Sequence, residues 1–210
     1  MMGGRALTSS GETLFATTER LILRKPRPED LEPLIVSWSD PEMTRFTGLR
    51  TDVRSFVAQM IADAQAKDPG APDSATPWYQ FIVERRSDGA MIGDLGVGFG
   101  LPGERQVELG YRIHPEAQGR GYAREAVAAL ISYLVENHSI HRFVGIAASG
   151  NERSKRLLTT LGFRHEGNFR RSFLCHGEWL DDDYFALLAE EWRAGETARG
   201  DREPAREGRS

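Results

Sequence analysis

A chain of 210 residues can bury one substantial core but not two comfortable domains, and its 40% hydrophobic and 28% charged content excludes wholesale disorder. The 22 glycines follow no three-residue period, so a collagen-like chain is excluded as well. A net charge of -4 argues against nucleic-acid binding by bulk charge, and the single Cys175 excludes an internal disulfide and a multi-cysteine zinc site. The longest apolar run, Ala126 to Ile131, is far too short to span a membrane, and the opening MMGGRALTSSGET lacks the apolar segment of a secretory signal. A cytoplasmic protein with no nucleic-acid or membrane partner is expected.

In chain order, residues 1–13 are mostly small and polar, and 195–210 carry no large apolar side chain; both are expected to be disordered, with the domain at 14–194. Glu19 to Pro26 is a short β-rich run. Leu31, Leu34, Ile35 and Trp38 form a helical stripe over Pro28 to Ser39, with Pro28 at the first turn. Thr51 is placed to cap a second helix with the stripe Val53, Phe56, Val57, Met60, Ile61 and Ala64. A Pro/Gly/Ser loop over 67–77 follows; whether it acts as a lid is open. Tyr79–Arg86, Met91–Gly100 and Arg105–His114 read as an antiparallel meander. A long helix is expected from Gly121 to Asn137, then a strand over Arg142–Ser149. Ser149 to Glu152 has the form of a capping box for a helix ending at Leu161 before Gly162. Arg164–Cys175 and Tyr184–Leu188 are the last β-like runs. The order β-α-α-β-β-β-α-β-α-β-β predicts an α/β (α+β layered) domain with a mixed sheet and helices on it.

The segment HPEAQGRGYAREA (His114–Ala126) leaves a strand and enters a helix through Gln118, Gly119, Arg120, Gly121, Tyr122 and Ala123. Two glycines before a helix permit positive φ and close approach of a ligand. The first helical N–H groups lack intrahelical partners and lie at the positive end of the dipole, which suits a phosphate or pyrophosphate. Arg120 and Arg124 add formal charge. The lysine of G-x-x-x-x-G-K-[ST] is absent, and Arg124 stands where G-x-G-x-x-G needs its third glycine, so two nucleotide-phosphate motifs are not met. A plain Gly-containing turn is the alternative reading.

Gln118, Gly121 and Ala123 match Q/R-x-x-G-x-G/A, so the segment resembles the acyl-coenzyme A signature of the GNAT superfamily of N-acetyltransferases. The resemblance extends from about Thr17 to Trp192. ERLILRKPRPEDLEPLIVSWSDPEM looks like the family's opening strand and helix. VELGYRIHPEAQGRGYAREA looks like its fourth strand, pyrophosphate loop and third helix. HRFVGIAASGNERSKRLLTTLGFRHEG, with N-x-x-S and L-G-F, looks like its second acyl-CoA motif, and GEWLDDDYFALLAEEW resembles the terminal strand. The nearest branch by this resemblance is the ribosomal-protein N-terminal (serine/alanine) acetyltransferases and their small-molecule relatives. The implied fold is a largely antiparallel sheet, splayed between the family's fourth and fifth strands, with helices on both faces.

The resemblance implies that Gln118 to Ala123 hold the pyrophosphate of acetyl-CoA through main-chain N–H groups. The backbone of Tyr111, Arg112 and Ile113 would pair with the pantetheine arm. Asn151 would bond the cofactor or act only as a helix cap. The implied reaction is direct acetyl transfer to a primary amine, which needs a base, because an exposed amine is protonated at neutral pH. Glu108 is the first candidate base; its other reading is a polar-face residue paired to Arg112. Glu84 is the second candidate. Many members place a tyrosine acid where Leu158 stands, so the proton donor is assigned to Ser154, the ribosomal-type serine three residues after Asn151; a plain helix-surface serine is its alternative. Two acceptor classes remain: a protein N-terminal α-amine, or a small amine such as a polyamine or aminoglycoside. A non-catalytic acyl-CoA-binding module is the rival class. No metal is expected, because the five histidines show no ligand spacing. The acids Glu178, Asp181, Asp182 and Asp183 read as a solvated turn or as an attractor for a cationic amine. Cys175 reads as a buried strand residue, and Trp38, Phe46 and Trp78 as core or as cleft walls. The oligomeric state is open, a homodimer included.

Overall fold

Period-two runs become the strands of one sheet, and 3.6-period stripes become the helices laid on its two faces. The computed structural model describes residues 6–7, 13–47, 52–67, 78–100 and 105–200. Among the described residues nine strands line up as β1 (Ala6–Leu7), β2 (Thr13–Thr17), β3 (Leu21–Arg24), β4 (Trp78–Arg85), β5 (Met91–Phe99), β6 (Gln106–Ile113), β7 (Arg142–Ala148), β9 (Glu178–Leu188) and β8 (Arg164–Cys175). Every neighbouring pair is antiparallel except β6 and β7, which α3 (Tyr122–Asn137) connects as a crossover. The other helices are α1 (Leu31–Ser39), α2 (Val53–Ala66), α4 (Glu152–Leu161) and α5 (Ala189–Gly200).

Alternate residues of β4 show the two layers. Phe81 and Val83 join the larger core with Leu95, Val97, Val107 and Leu109 of the next strands, under Leu130, Ile131 and Leu134 of α3 and Leu158 of α4. Ile82, on the opposite face, packs with Leu34 of α1 and with Val57 and Ile61 of α2. The start of α1 is anchored by Arg24, only 4% exposed. Its guanidinium donates to both Asp30 oxygens at 2.7 and 2.9 Å and to Glu84 Oε2 at 2.6 Å.

Several expectations need correction. Residues 1–13 include β1 and the first residue of β2, and α5 runs through 195–200, so neither flank is wholly without structure; 201–210 lie outside the described residues. Helix α5 forms because Trp192 is buried against the core and donates to Ser132 Oγ at 3.1 Å. The N-cap of α2 is Asp52, which accepts from Ser55 N at 3.0 Å; Thr51 lies outside the described residues, as does 68–77. The N-cap of α4 is Asn151 rather than Ser149, because the Asn151 carboxamide reaches Ser154 N at 3.1 Å. Among the described residues no helix is long and apolar enough to cross a membrane, which says nothing about β-barrels.

Candidate active site

The sheet opens where its one parallel pair ends. Gln106, Val107 and Glu108 of β6 pair with Arg142, Phe143 and Val144 of β7, and the register stops there. Strand β7 instead follows β9 to its end, from Arg142 opposite Leu188 to Ala148 opposite Asp182. Residues 109–113 of β6 therefore diverge from 145–148, leaving a wedge through the sheet with Glu108 at its apex.

On the α3 side of the wedge lies the glycine turn. Gly119 has φ +74° with no atom within 4 Å of where a Cβ would stand, and Gly121, the N-cap of α3, has φ +80°. An L side chain is strained at both positions. The first turn of α3 presents its N–H groups beside exposed Arg120 and Arg124. A pyrophosphate fits this open, donor-rich seat. Arg20 secures it from 100 residues away: Nη1 donates to the Arg120 carbonyl at 3.0 Å, Nε to Glu125 Oε2 at 2.7 Å, and the guanidinium lies 4.7 Å from the Tyr122 ring centroid. The Gln118 side chain is spent internally. It donates to Ile113 O at 2.9 Å and accepts from Arg153 Nη1 at 2.7 Å, tying the end of β6 to α4. Ile113 O is thereby occupied.

On the α1/α2 side lies a cavity of about 720 Å³. Its floor is aromatic because three glycines leave room. The Trp78 ring lies over Gly96, Gly98 and Gly110 of β5 and β6; a Cβ on Gly98 would come within 2.9 Å of it. Trp38, Phe56 and Tyr184 form walls, and the carboxyls of Asp63, Glu108 and Asp182 face the same space. Gln80, 8% exposed, also lines it, and its buried Oε1 accepts from no donor among the described residues. Arg112 does not pair with Glu108: it donates to Asp94 Oδ1 at 2.7 Å and stacks 3.5 Å from the Trp38 ring centroid. No hydrogen bond or ion pair reaches the Glu108 carboxyl among the described residues. Burial raises its pKa above the usual carboxylate value, and the nearby Asp182 charge raises it further.

Asp181 to Asp183 stand in β9, not in a solvated turn. Each carboxyl meets a donor on or next to β8. Asp181 accepts from Arg171 N at 2.7 Å and Asp182 from Ser172 Oγ at 3.0 Å. Asp183 accepts from His165 and Asn168, both at 3.0 Å, and from Lys155 Nζ at 3.3 Å. Burial opposes ionisation of Asp183, but those donors outweigh it and hold the pKa at about 2. Asp182 is raised by burial despite the Ser172 hydroxyl, with Asp183 and Asp181 adding to the rise.

The other candidates separate. Glu84 is absorbed by Arg24 and does not line the cavity, so the structure removes it from the site. Ser154, in the first turn of α4, lies 2.6 Å from Tyr111 Oη. Asn151 caps α4 through its side-chain oxygen. Sequence reasoning gave no role to Arg20, Gln80 or the Tyr111 hydroxyl, and took Trp78 and the β9 acids only as alternatives.

The sequence profile of the acetyltransferase (GNAT) domain matches residues 20–164. The chain belongs to the GNAT acetyltransferase family. It is similar to the uncharacterized N-acetyltransferase p20 of Bacillus licheniformis, 32% identical over 185 residues that cover 86% of this chain and 98% of that one. It is also similar to the [Ribosomal protein uS5]-alanine N-acetyltransferase of Escherichia coli, 38% identical over 87 residues, 41% of this chain and 45% of that one. The fold matches a spermidine N-acetyltransferase from Vibrio cholerae solved with CoA and spermine (TM-score 0.72, 19% identity, 84% of this chain and 99% of that one). This GNAT protein is thus an N-acetyltransferase, with a glycine turn at the start of α3 and an acidic, aromatic cavity on the α1/α2 side of its sheet.

Proposed function

We propose that this GNAT enzyme acetylates a cationic primary amine that enters the α1/α2 cavity, with acetyl-CoA held on the α3/α4 face. The observation that carries the reading is the end of β6–β7 pairing at Glu108. It sets one carboxyl, raised by burial and free of protein partners among the described residues, between the phosphate seat and the cavity. The Gln118 N–H is taken by Pro115 O at 3.1 Å, so main-chain N–H groups from Gly119 to Ala123 would hold the pyrophosphate, and the open backbone of Tyr111 and Arg112 would take the pantetheine arm. When bound, acetyl-CoA supplies an acyl group on a sulfur leaving group.

Within the cavity, Asp63 and Asp182 attract the ammonium form of the acceptor, and the Trp78 face favours a cation over it. Glu108 then takes a proton from the amine, directly or through one water. Ser154, at the N-terminal end of α4, donates toward the sulfur, where the helix dipole also favours negative charge. The two acceptor classes match the names of the relatives: one acts on an alanine of ribosomal protein uS5 and another on spermidine. The deciding experiment is CoA-thiol release from acetyl-CoA across peptides, polyamines and aminoglycosides. Turnover with cationic amines, lost in Glu108→Gln, is expected; an enzyme indifferent to this substitution would remove Glu108 from the chemistry.

A further inference from the structure

The departing sulfur needs a hydrogen-bond donor, and the position seven residues after Asn151 does not provide one. Leu158 is 0% exposed, and its side chain fills the space above Gly145 of β7, where a Cβ would come within 2.5 Å of it. Ser154 remains, but it does not stand alone. Its Oγ lies 2.6 Å from Tyr111 Oη across a separation of 43 residues, so the bond links β6 to α4 across the wedge.

Of the two hydroxyls, the phenol is the better donor, because it is more acidic than an alcohol. It has two acceptors on the same residue, Ser154 Oγ at 2.6 Å and Ser154 O at 3.4 Å. When Tyr111 donates, the serine hydrogen is left to point elsewhere, and a hydroxyl that accepts one hydrogen bond donates a stronger one. The ring packs against the core on the α3 side of β6, the face opposite Glu108 and Arg112.

We propose that Tyr111 is a positioning residue for the leaving group: its phenol donates to Ser154 Oγ and thereby aims the serine hydrogen at the sulfur. This rests on the placement of Ser154 at the sulfur given above. In the step it serves, the amine nitrogen bonds to the acetyl carbon, the carbon–sulfur bond breaks and the electron pair stays on sulfur. The acceptor enters this step as the neutral amine, its ammonium proton having gone to solvent, and the one further proton that the nitrogen loses as the amide forms goes to Glu108. No proton passes along the hydroxyl pair; the thiolate leaves hydrogen-bonded and is protonated by water after release. Burial pushes the Tyr111 pKa up to about 12 against the opposing Ser154 bond, so the phenol keeps its hydrogen throughout the working range.

The test compares CoA with desulfo-CoA, which lacks the thiol, by calorimetry at pH 7 and pH 9.5, alongside steady-state kinetics. For the parent, CoA should gain on desulfo-CoA as the thiol ionises. Tyr111→Phe keeps the ring and should lose about three- to tenfold of that gain, with desulfo-CoA affinity unchanged. Its kcat should fall by a similar factor at constant acceptor KM, and Tyr111→Phe/Ser154→Ala should be no slower than Ser154→Ala. Parental kcat and parental CoA preference in Tyr111→Phe, with both lost in Ser154→Ala, would overturn the role of Tyr111 alone. Equal weakening of both ligands in Tyr111→Phe would also overturn it, leaving the ring as wall. Parental behaviour of Ser154→Ala would instead overturn the placement of Ser154.

Discussion

Two carboxylates two strands apart, Glu84 and Glu108, offer a paired test. Glu84 is held at 2.6 Å by Arg24, whose side chain is only 5% exposed, and Glu84 itself is 14% exposed. Glu84→Gln keeps the shape but replaces a charge-assisted bond by a neutral one, and bonds of the charged kind are worth about 1.5–3 kcal/mol. Asp30 still holds Arg24, so the loss should stay within that range. For a chain of this size it corresponds to a fall of about 3–12 °C in Tm, with kcat within about twofold of the parent. Glu108→Gln should do the reverse. Its folded pKa lies above the ordinary 4.5, so the ionised form is disfavoured in the native state. Removing that charge should leave Tm equal or higher at pH 7 and unchanged well below the ordinary carboxylate pKa, where both states are protonated. Its kcat/KM should fall by about 10²–10⁴-fold, the range for a lost general base. Differential scanning calorimetry and CoA-thiol release on the same two preparations decide the matter. A Glu84→Gln enzyme with parental Tm and a hundredfold loss of kcat/KM would refute the assignment of both residues.

Other expectations follow from the same geometry. Acetyl-CoA should raise Tm in the parent, and Gly121→Asp, which puts a Cβ at φ +80° and a negative charge in the phosphate seat, should abolish the rise in a thermal-shift titration. Asp182→Asn removes a charge that helps to raise Glu108, so the acid limb of the kcat/KM–pH profile should move to lower pH while KM for a cationic acceptor rises. Gly98→Ala should displace Trp78 by roughly 0.6–1.1 Å to restore ordinary contact, raising acceptor KM without altering CoA affinity; isothermal titration separates the two. The Asp183 pKa of about 2 lies below the unfolded value, so its contribution to stability should be present above pH 4 and be lost as pH falls toward 2; a Tm–pH series of Asp183→Asn should lack that step.

Local signals carried much of this architecture. The paired glycines before α3 were legible because backbone freedom and helix-end N–H groups depend on adjacent residues. Glu108 was legible because strict alternation over Val107 to Ile113 separates the two faces of β6. Features built from distant residues were not. Arg20 reaches the glycine turn across 100 positions, and the Tyr111–Ser154 bond spans 43. The aromatic floor needs the register of three strands to bring Gly96, Gly98 and Gly110 under Trp78. Three consecutive aspartates carry no strand pattern of their own, and only the family resemblance extended the strand across them; β9 forms there because donors on or beside β8 meet each of them. The short β1 and β2 are added at the edge of the sheet beside β3, and α5 depends on a buried Trp192 rather than on its own polar sequence.

The early end of β6–β7 pairing opens the sheet beside Glu108, between the glycine turn of α3 and the cavity under α1 and α2. Under the proposed function, donor and acceptor would not share a doorway, and neither would have to wait for the other to bind or depart. A bulky acceptor analogue lodged among Trp38, Phe56 and Trp78 should therefore leave CoA exchange on the α3 face undisturbed. Inhibition by such an analogue should be competitive against the amine and non-competitive against acetyl-CoA.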